Sequence, residues 1–375
     1  MSDWFGQKIP KLGFGLMRLP KQADGSIDLE QTKKMVDLFI DAGLTYFDTA
    51  YIYDGGKSEE AARECLVNRH PRKSFTLASK LMAGIAENEA AAKQEFYTSL
   101  ERTGAGYLDY YLLHALDRGN YKKYDEYHLW DFVKELKEKG LIKHYGFSFH
   151  GDPALLEELL TAHSDVEFIQ LQINYADWEN ESIASRECYE IARRHKKSIV
   201  VMEPVKGGAL ANPSEEITGI FKDYHPDMSP ASWAIRYAAG MEGILTVLSG
   251  MSNLEQMEDN LSYMKDFEPL NEEEEAVIKK VQEALKNVKT IQCTGCHYCT
   301  KGCPVQIPIP EIIKARNILI KDMDRWGANE EYKKAVSQEG ASKASACVAC
   351  GQCETMCPQH LPVIKILADT AAVLE

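Results

Sequence analysis

Between residues 13 and 264, short apolar runs alternate with longer stretches whose apolar positions recur every three or four residues. The short runs predict strands at 13–17, 46–50, 76–80, 110–114, 144–148, 168–172, 198–203 and 244–249. The longer stretches predict amphipathic helices at 32–42, 90–103, 127–139, 153–163, 183–195 and 232–239. Eight strand–helix units over some 260 residues predict an α/β fold of the (β/α)8 TIM-barrel type. A doubly wound sheet is the alternative. Against it, Gly13-Phe14-Gly15 is followed by Arg18 where a dinucleotide fingerprint needs its third glycine, and no helix follows closely. No internal repeat or low-complexity tract stands out.

The pattern changes after Pro269. Asn271 precedes four glutamates and then an apolar-periodic stretch to 288, which predicts a helix capped by Asn271 with a solvated acidic start. Beyond it lie a cysteine-rich segment and helical patterns at 310–323 and 330–336. The expected organisation is a barrel over 1–268, then a linker helix and a mostly helical, ferredoxin-like iron–sulfur domain over 269–375.

Composition narrows the class without changing the fold. A hydrophobic fraction of 45% and a charged fraction of 27% suit a globular chain. A net charge of −14 repels phosphate backbones and anionic membranes, so neither nucleic acid nor membrane is an expected partner. No apolar run reaches the ~20 residues a bilayer needs, and Met1-Ser2-Asp3-Trp4 lacks the marks of a signal peptide. The expected location is cytoplasmic.

Eight of the ten cysteines form two runs, Cys293, Cys296, Cys299, Cys303 and Cys347, Cys350, Cys353, Cys357, each followed by proline. Both read C-x2-C-x2-C-x3-C-P, the spacing that binds two [4Fe–4S] clusters with the fourth cysteine of each run reaching the other centre. One centre would then take Cys293, Cys296, Cys299 and Cys357, and the other Cys347, Cys350, Cys353 and Cys303. Disulfides would need an oxidising compartment, and structural zinc usually takes paired C-x2-C arms; both fit less well. Cys65 and Cys188 read as buried helix thiols, and His297 as a surface residue.

The carboxyl ends of barrel strands are where catalytic groups gather. Here they hold Asp48 and Tyr53 after the second strand, Lys80 at the third and His114 at the fourth. A phenol with a pKa near ~10 is a poor proton donor at neutral pH. An ammonium beside it favours the phenolate, a carboxylate keeps that ammonium charged and placed, and a neutral imidazole can orient a carbonyl oxygen.

This set resembles the aldo/keto reductases. The resemblance rests on Asp48-Thr49-Ala50-Tyr51-Ile52-Tyr53, Lys80 and Leu112-Leu113-His114, at spacings of 5, 27 and 34 residues. Gly146-Phe147-Ser148, Gln170 with Asn174, Glu203-Pro204-Val205-Lys206-Gly207-Gly208, Ser249-Gly250-Met251-Ser252 and Asn260 extend it over residues 6–265. It implies Tyr53 as general acid, Lys80 and Asp48 as its tuners, and His114 as the group that orients the carbonyl. It further implies Ser148 and Gln170 on the nicotinamide carboxamide of NAD(H) or NADP(H), Gly207 and Gly208 at the pyrophosphate, and Gly250, Ser252, Gln256 and Asn260 along the adenosine. Many NADPH-preferring members carry Arg or Lys where this chain has Gly250 and Gln256, which favours NADH. Phe149 replaces a common Asn, and the segment from Asp54 to Glu59 is longer than usual.

The resulting expectation is an NAD(P)-dependent oxidoreductase acting on a small carbonyl or alcohol. A hydride carries two electrons and a cluster takes one at a time, and no flavin signature is visible to split the pair. Three roles for the clusters remain open: exchange with a ferredoxin or flavoprotein partner, reception of electrons from a flavin or substrate radical in the barrel mouth, or a structural or sensing role. The alternative function is an electron-transfer subunit whose barrel only binds a cofactor or partner.

Overall fold

The structure, a computed structural model, describes residues 2–4, 7–286, 290–322 and 325–375. The last positions expected of two helices, 287–288 and 323, lie outside the described residues. The chain divides into two compact units. One comprises Met1–Val205 and His225–Ala276, the other Lys206–Tyr224 and Val277–Glu375.

The first unit contains a closed barrel of eight parallel strands: β1 (Leu12–Gly15), β2 (Tyr46–Asp48), β3 (Thr76–Leu81), β4 (Leu108–Leu116), β5 (Ile142–Phe149), β6 (Phe168–Gln172), β7 (Ser198–Met202) and β8 (Ile244–Ser249). Side chains alternate across each strand, so one parity fills the interior and the other meets the helices. Tyr46, Ala78, Tyr110, Phe168 and Val200 form the interior cluster, with Ile9 from an N-terminal hairpin among them. Phe47, Leu77, Tyr111, Phe147 and Ile169, of the opposite parity, pack in the main core with helix residues such as Phe39, Phe96 and Leu159. Moving up the interior parity replaces apolar residues with polar ones: Tyr46 gives way to Asp48, Ala78 to Lys80, Phe168 to Gln170. Register staggers these rows around the barrel, with Asp48 opposite Ala78 and Lys80 opposite Leu112, while Ser148 and Gln170 lie level.

Helix starts follow local chemistry. Asp28, Asn88, Asp152, Ser229 and Asn253 each accept an N-terminal backbone N–H through their side chains. The helix expected at 127–139 is Leu129–Glu138, set off at His128, with a left-handed φ of 49°, from an additional short helix at Tyr121–Glu126. Strand seven stops at Met202 rather than 203, because Glu203 turns out of extended geometry at φ 55°. At the acidic run, Asn271 and Glu274 form a reciprocal capping box at 2.9 Å each way. Glu274 departs from the solvated reading: it is 2% exposed and accepts two bonds from Arg236, at 2.7 and 3.0 Å.

The second unit is mostly helical, with a small core of Ile307, Ile309, Ile312, Ile313, Tyr332, Val363 and Leu367. It contains a repeat that the side chains conceal. Each cysteine run leads through a four-residue helix, Tyr298–Lys301 or Gln352–Thr355, to Cys-Pro and then a long helix, Ile309–Asp322 or Val363–Leu374. Left-handed residues fall at matching positions: Gly295 with Ala349, His297 with Gly351, Gln306 with His360. The expectation of no internal repeat is corrected here. The two copies share backbone turns and little besides cysteine and proline. Among the described residues no helix is long and apolar enough to cross a membrane.

Candidate functional site

The polar top of the barrel interior holds the four expected residues together. Lys80 Nζ donates to Asp48 Oδ1 at 2.5 Å and to the Thr49 carbonyl at 2.7 Å, and lies 3.4 Å from Tyr53 Oη. The His114 ring stands edge-on to Tyr53 with centroids 5.6 Å apart. Exposure ranks them: Lys80 0%, Asp48 2%, His114 2% and Tyr53 8%, so the phenol is the member most open to solvent. Burial raises the Asp48 carboxyl and lowers the Lys80 ammonium, and the short ion pair opposes both shifts. Burial, then the Lys80 charge, pushes His114 well below the usual histidine value, which leaves a neutral imidazole. Its Nδ1 has no hydrogen-bond partner, and Tyr124 Oη donates to the His114 carbonyl.

Ser148 and Gln170 lie side by side across the β5–β6 register. Ser148 Oγ accepts the Ala115 N–H at 2.7 Å, which leaves its O–H to donate. Gln170 Oε1 is buried without a partner, while its Nε2 reaches only Met202 Sδ at 3.5 Å. An unpaired amide oxygen beside a hydroxyl suits a carboxamide, so this pair fits a nicotinamide head. Asn174 serves instead to fold its own loop, donating to Asp177 at 2.8 Å and to the Glu203 carbonyl at 3.0 Å.

After β8, Gln256 Oε1 accepts the Ser252 N–H at 2.8 Å, and Asn260 Oδ1 accepts the Ser249 hydroxyl at 2.7 Å. Gly250 faces Arg18, whose Cβ would lie 3.8 Å from a Cβ there. Sequence reading along this loop finds no cation. Arg18, three residues beyond β1, supplies one nearby, paired to Glu203 at 3.5 Å. Gly207 and Gly208 fall in the second unit and both adopt left-handed φ, 65° and 99°. A Cβ on Gly207 would sit 2.5 Å from the Thr294 carbonyl oxygen, so glycine is required there for close packing.

In the second unit, Cys293, Cys296, Cys299 and Cys357 line one cavity, together with Ile309 and Val363. This is the cross-run grouping expected of the first centre. Backbone amides turn toward the sulfurs: Gly295 N–H to Cys293 Sγ at 3.5 Å, and Ile307 N–H to Cys303 Sγ at 3.4 Å. Burial raises the thiols of Cys293 and Cys353 to about 11 and that of Cys299 further. Such thiols ionise on coordination. Four thiols around a shared space suit a polynuclear group. Of the other quartet, Cys353 is buried in the small core with Cys303 and Cys347 packed against it, and Cys350 is exposed. Cys65 and Cys188 are buried helix thiols held at about 11 and about 12 by desolvation.

Residues 11–283 match the model of the aldo/keto reductase family, and residues 292–362 that of a 4Fe-4S dicluster domain. The chain is 26% identical over 310 residues to an uncharacterized oxidoreductase of Bacillus subtilis, YqkF, covering 74% of this chain and 93% of the relative. An aldo-keto reductase from Bacillus halodurans in its holo form is similar at a TM-score of 0.61 and 25% identity, over 74% of this chain and 93% of that one. An aldo/keto reductase from Klebsiella pneumoniae in complex with NADP and acetate shares the fold at a TM-score of 0.60 and 22% identity, over 73% and 92%.

Proposed function

This chain belongs to the aldo/keto reductase family and carries a 4Fe-4S dicluster domain, and on that premise we propose that it interconverts a small carbonyl compound and its alcohol with NAD(P)(H). When bound, the nicotinamide supplies or takes up the hydride. The chain's own residues manage the proton and the geometry. Tyr53 donates a proton to the carbonyl oxygen and recovers it in the reverse direction. Lys80, held by Asp48 and the Thr49 carbonyl, stabilises the phenolate left behind. Neutral His114 orients the carbonyl oxygen without competing as an acid. Ser148 and Gln170 hold the carboxamide, and Gly250, Ser252, Gln256 and Asn260 the adenosine side.

The observation that carries this reading is Lys80 poised between Asp48 and Tyr53, buried yet next to the most open phenol of the group. A barrel that merely bound a cofactor for an electron-transfer subunit would have no use for a proton donor so prepared. In the dicluster domain, Cys293, Cys296, Cys299 and Cys357 would hold one [4Fe–4S] centre, and Cys347, Cys350, Cys353 and Cys303 a second. These centres would exchange single electrons with a ferredoxin or flavoprotein.

The test is anaerobic. Full-length protein with its clusters is mixed with NADH or NADPH and a panel of aldehydes and ketones, while nicotinamide oxidation and iron–sulfur absorption are followed together. Tyr53→Phe is expected to lower kcat by about 10²–10⁴-fold with cofactor affinity unchanged. Undiminished turnover by that variant would overturn the assignment.

A further inference from the structure

Behind the barrel mouth lies a buried polar network that the proton-transfer set does not use. The segment leading to Tyr53 runs beside β3, with Thr49 N–H donating to the Ala78 carbonyl at 2.9 Å and Tyr51 N–H to the Lys80 carbonyl at 3.1 Å. The chain then turns through three successive left-handed residues, Asp54, Gly55 and Gly56, at φ 49°, 66° and 94°. Arg102 touches this turn on both sides of Tyr53. Its Nη1 donates to the Tyr51 carbonyl at 3.0 Å, its guanidinium lies 4.5 Å from the Tyr51 ring centroid, and a Cβ on Gly56 would come within 2.5 Å of its Cζ. Arg102 is in turn held by Glu59, at 3.3 Å. Glu59 is 0% exposed and accepts the hydroxyl of Ser79, the residue before Lys80, at 2.6 Å. Its neighbour Ser58 bonds Thr49 Oγ1 at 2.7 Å and the Leu16 carbonyl at 2.9 Å.

We propose that Arg102 and Glu59 are positioning residues for Tyr53, clamping its turn to β3 so that the phenol meets Lys80. The inference rests on the proposed role of Tyr53. The turn carries local bonds, Tyr53 N–H to the Ala50 carbonyl at 3.0 Å and Gly55 N–H to the Ile52 carbonyl at 3.2 Å. Local bonds alone do not set its distance from β3, and an error of about 1 Å in the placement of a reacting group can cost about 10²-fold in rate. Arg102 adds a side-chain constraint to these backbone bonds because a planar guanidinium can bond a carbonyl, a carboxylate and a ring face at once. Glu59 also adds a second anionic influence on Lys80, whose other charged or titratable neighbours are Asp48, Tyr53 and His114. Glu59 itself faces Arg102, Glu95 and Tyr111.

The experiment uses full-length, cluster-loaded Arg102→Met, Arg102→Lys and Glu59→Gln. Arg102→Met is expected to lower kcat by about 10–100-fold while dinucleotide affinity, read by fluorescence titration, stays within about twofold. Arg102→Lys should recover part of the loss. Glu59→Gln removes an anion that favours the Lys80 ammonium, so the alkaline limb of the kcat profile should move to lower pH. Crystal structures give a readout independent of turnover: in Arg102→Met the separation of Tyr53 Oη from Lys80 Nζ should grow. An unchanged separation, or wild-type kcat and pH profile in folded variants, would overturn the proposal. A wild-type protein inactive on every carbonyl, or an active Tyr53→Phe, would instead sink the reading of Tyr53, and the crystallographic arm would still decide the clamp. Should Arg102→Met fail to fold, Arg102→Lys carries the same comparison.

Discussion

The barrel mouth is buried and the cysteine cavity half-buried, and both are chemically specific, yet they are held in opposite ways. In the mouth, several polar groups are already bonded to another part of the chain: Lys80 to Asp48 and Thr49, Ser148 to Ala115, Arg102 to Glu59 and Tyr51, while His114 Nδ1 and Gln170 Oε1 stay unpaired. The large core of the first unit carries the desolvation cost of these charges. In the second unit the core is small, several cysteines belong to it or pack against it, and four thiols face an apolar-walled space. Burial raises the thiols of Cys293 and Cys299, and a backbone amide, Gly295 N–H, turns toward Cys293 Sγ. One region is organised by its own hydrogen bonds; the other is organised to receive a group. Their sensitivity to mutation should differ accordingly.

The largest expected effect follows from that contrast. Cys299→Ser removes a thiol from the shared cavity, so bound iron should fall by about half or more. Limited proteolysis should then cut within 290–375 while the barrel's near-ultraviolet circular dichroism persists. Joint loss of both signals would break the distinction between the regions.

A smaller effect separates charge from burial inside the first unit. Glu95 is 4% exposed, accepts the Met82 N–H at 2.8 Å, and is raised by burial from 4.5 to about 8. Glu59, Arg102 and Tyr111 surround it. Because the folded value lies above the unfolded one, the neutral form's contribution is whole below pH 4.5 and is lost as pH rises through about 8. Glu95→Gln has no proton to release. Its melting temperature should gain on wild type between pH 5 and 9, by an amount on the order of 1–3 kcal/mol in stability. A difference independent of pH would show that Glu95 is ionised throughout.

The smallest expected effect tests whether the mouth is as preorganised as its bonds suggest. Gln170→Leu removes the unpaired Oε1 and should weaken nicotinamide dinucleotide binding about tenfold, roughly one buried hydrogen bond, with little change in melting temperature. A large loss of stability would mean that Gln170 supports the barrel rather than a ligand.

Much of the barrel was legible because its strands obey a period of two and its mouth residues fall at strand ends. That is how Asp48, Lys80 and His114 could be placed from order alone, whereas Ser148 and Gln170 came from the family resemblance. The cysteines were legible because spacing in sequence is spacing around the ligand. What escaped depends on long-range closure. Arg18 and Gly250 meet only when β1 pairs with β8, and Glu274 becomes buried only because Arg236 reaches it. Arg102 meets the Tyr53 turn across a helix that lies 51 positions away in the chain. The duplicated turns of the second unit are written in φ angles, where Ala349 and His297 do what glycine does in the other copy.

The grouping of Cys357 with Cys293, Cys296 and Cys299 has a topological consequence. Once a group is bound there, the intervening chain becomes a ring, and the unfolded polymer loses the freedom of a long open loop. The entropy so removed grows only as the logarithm of ring size. Length can therefore be added between the two runs at little cost, while severing either end of the ring releases all of it at once.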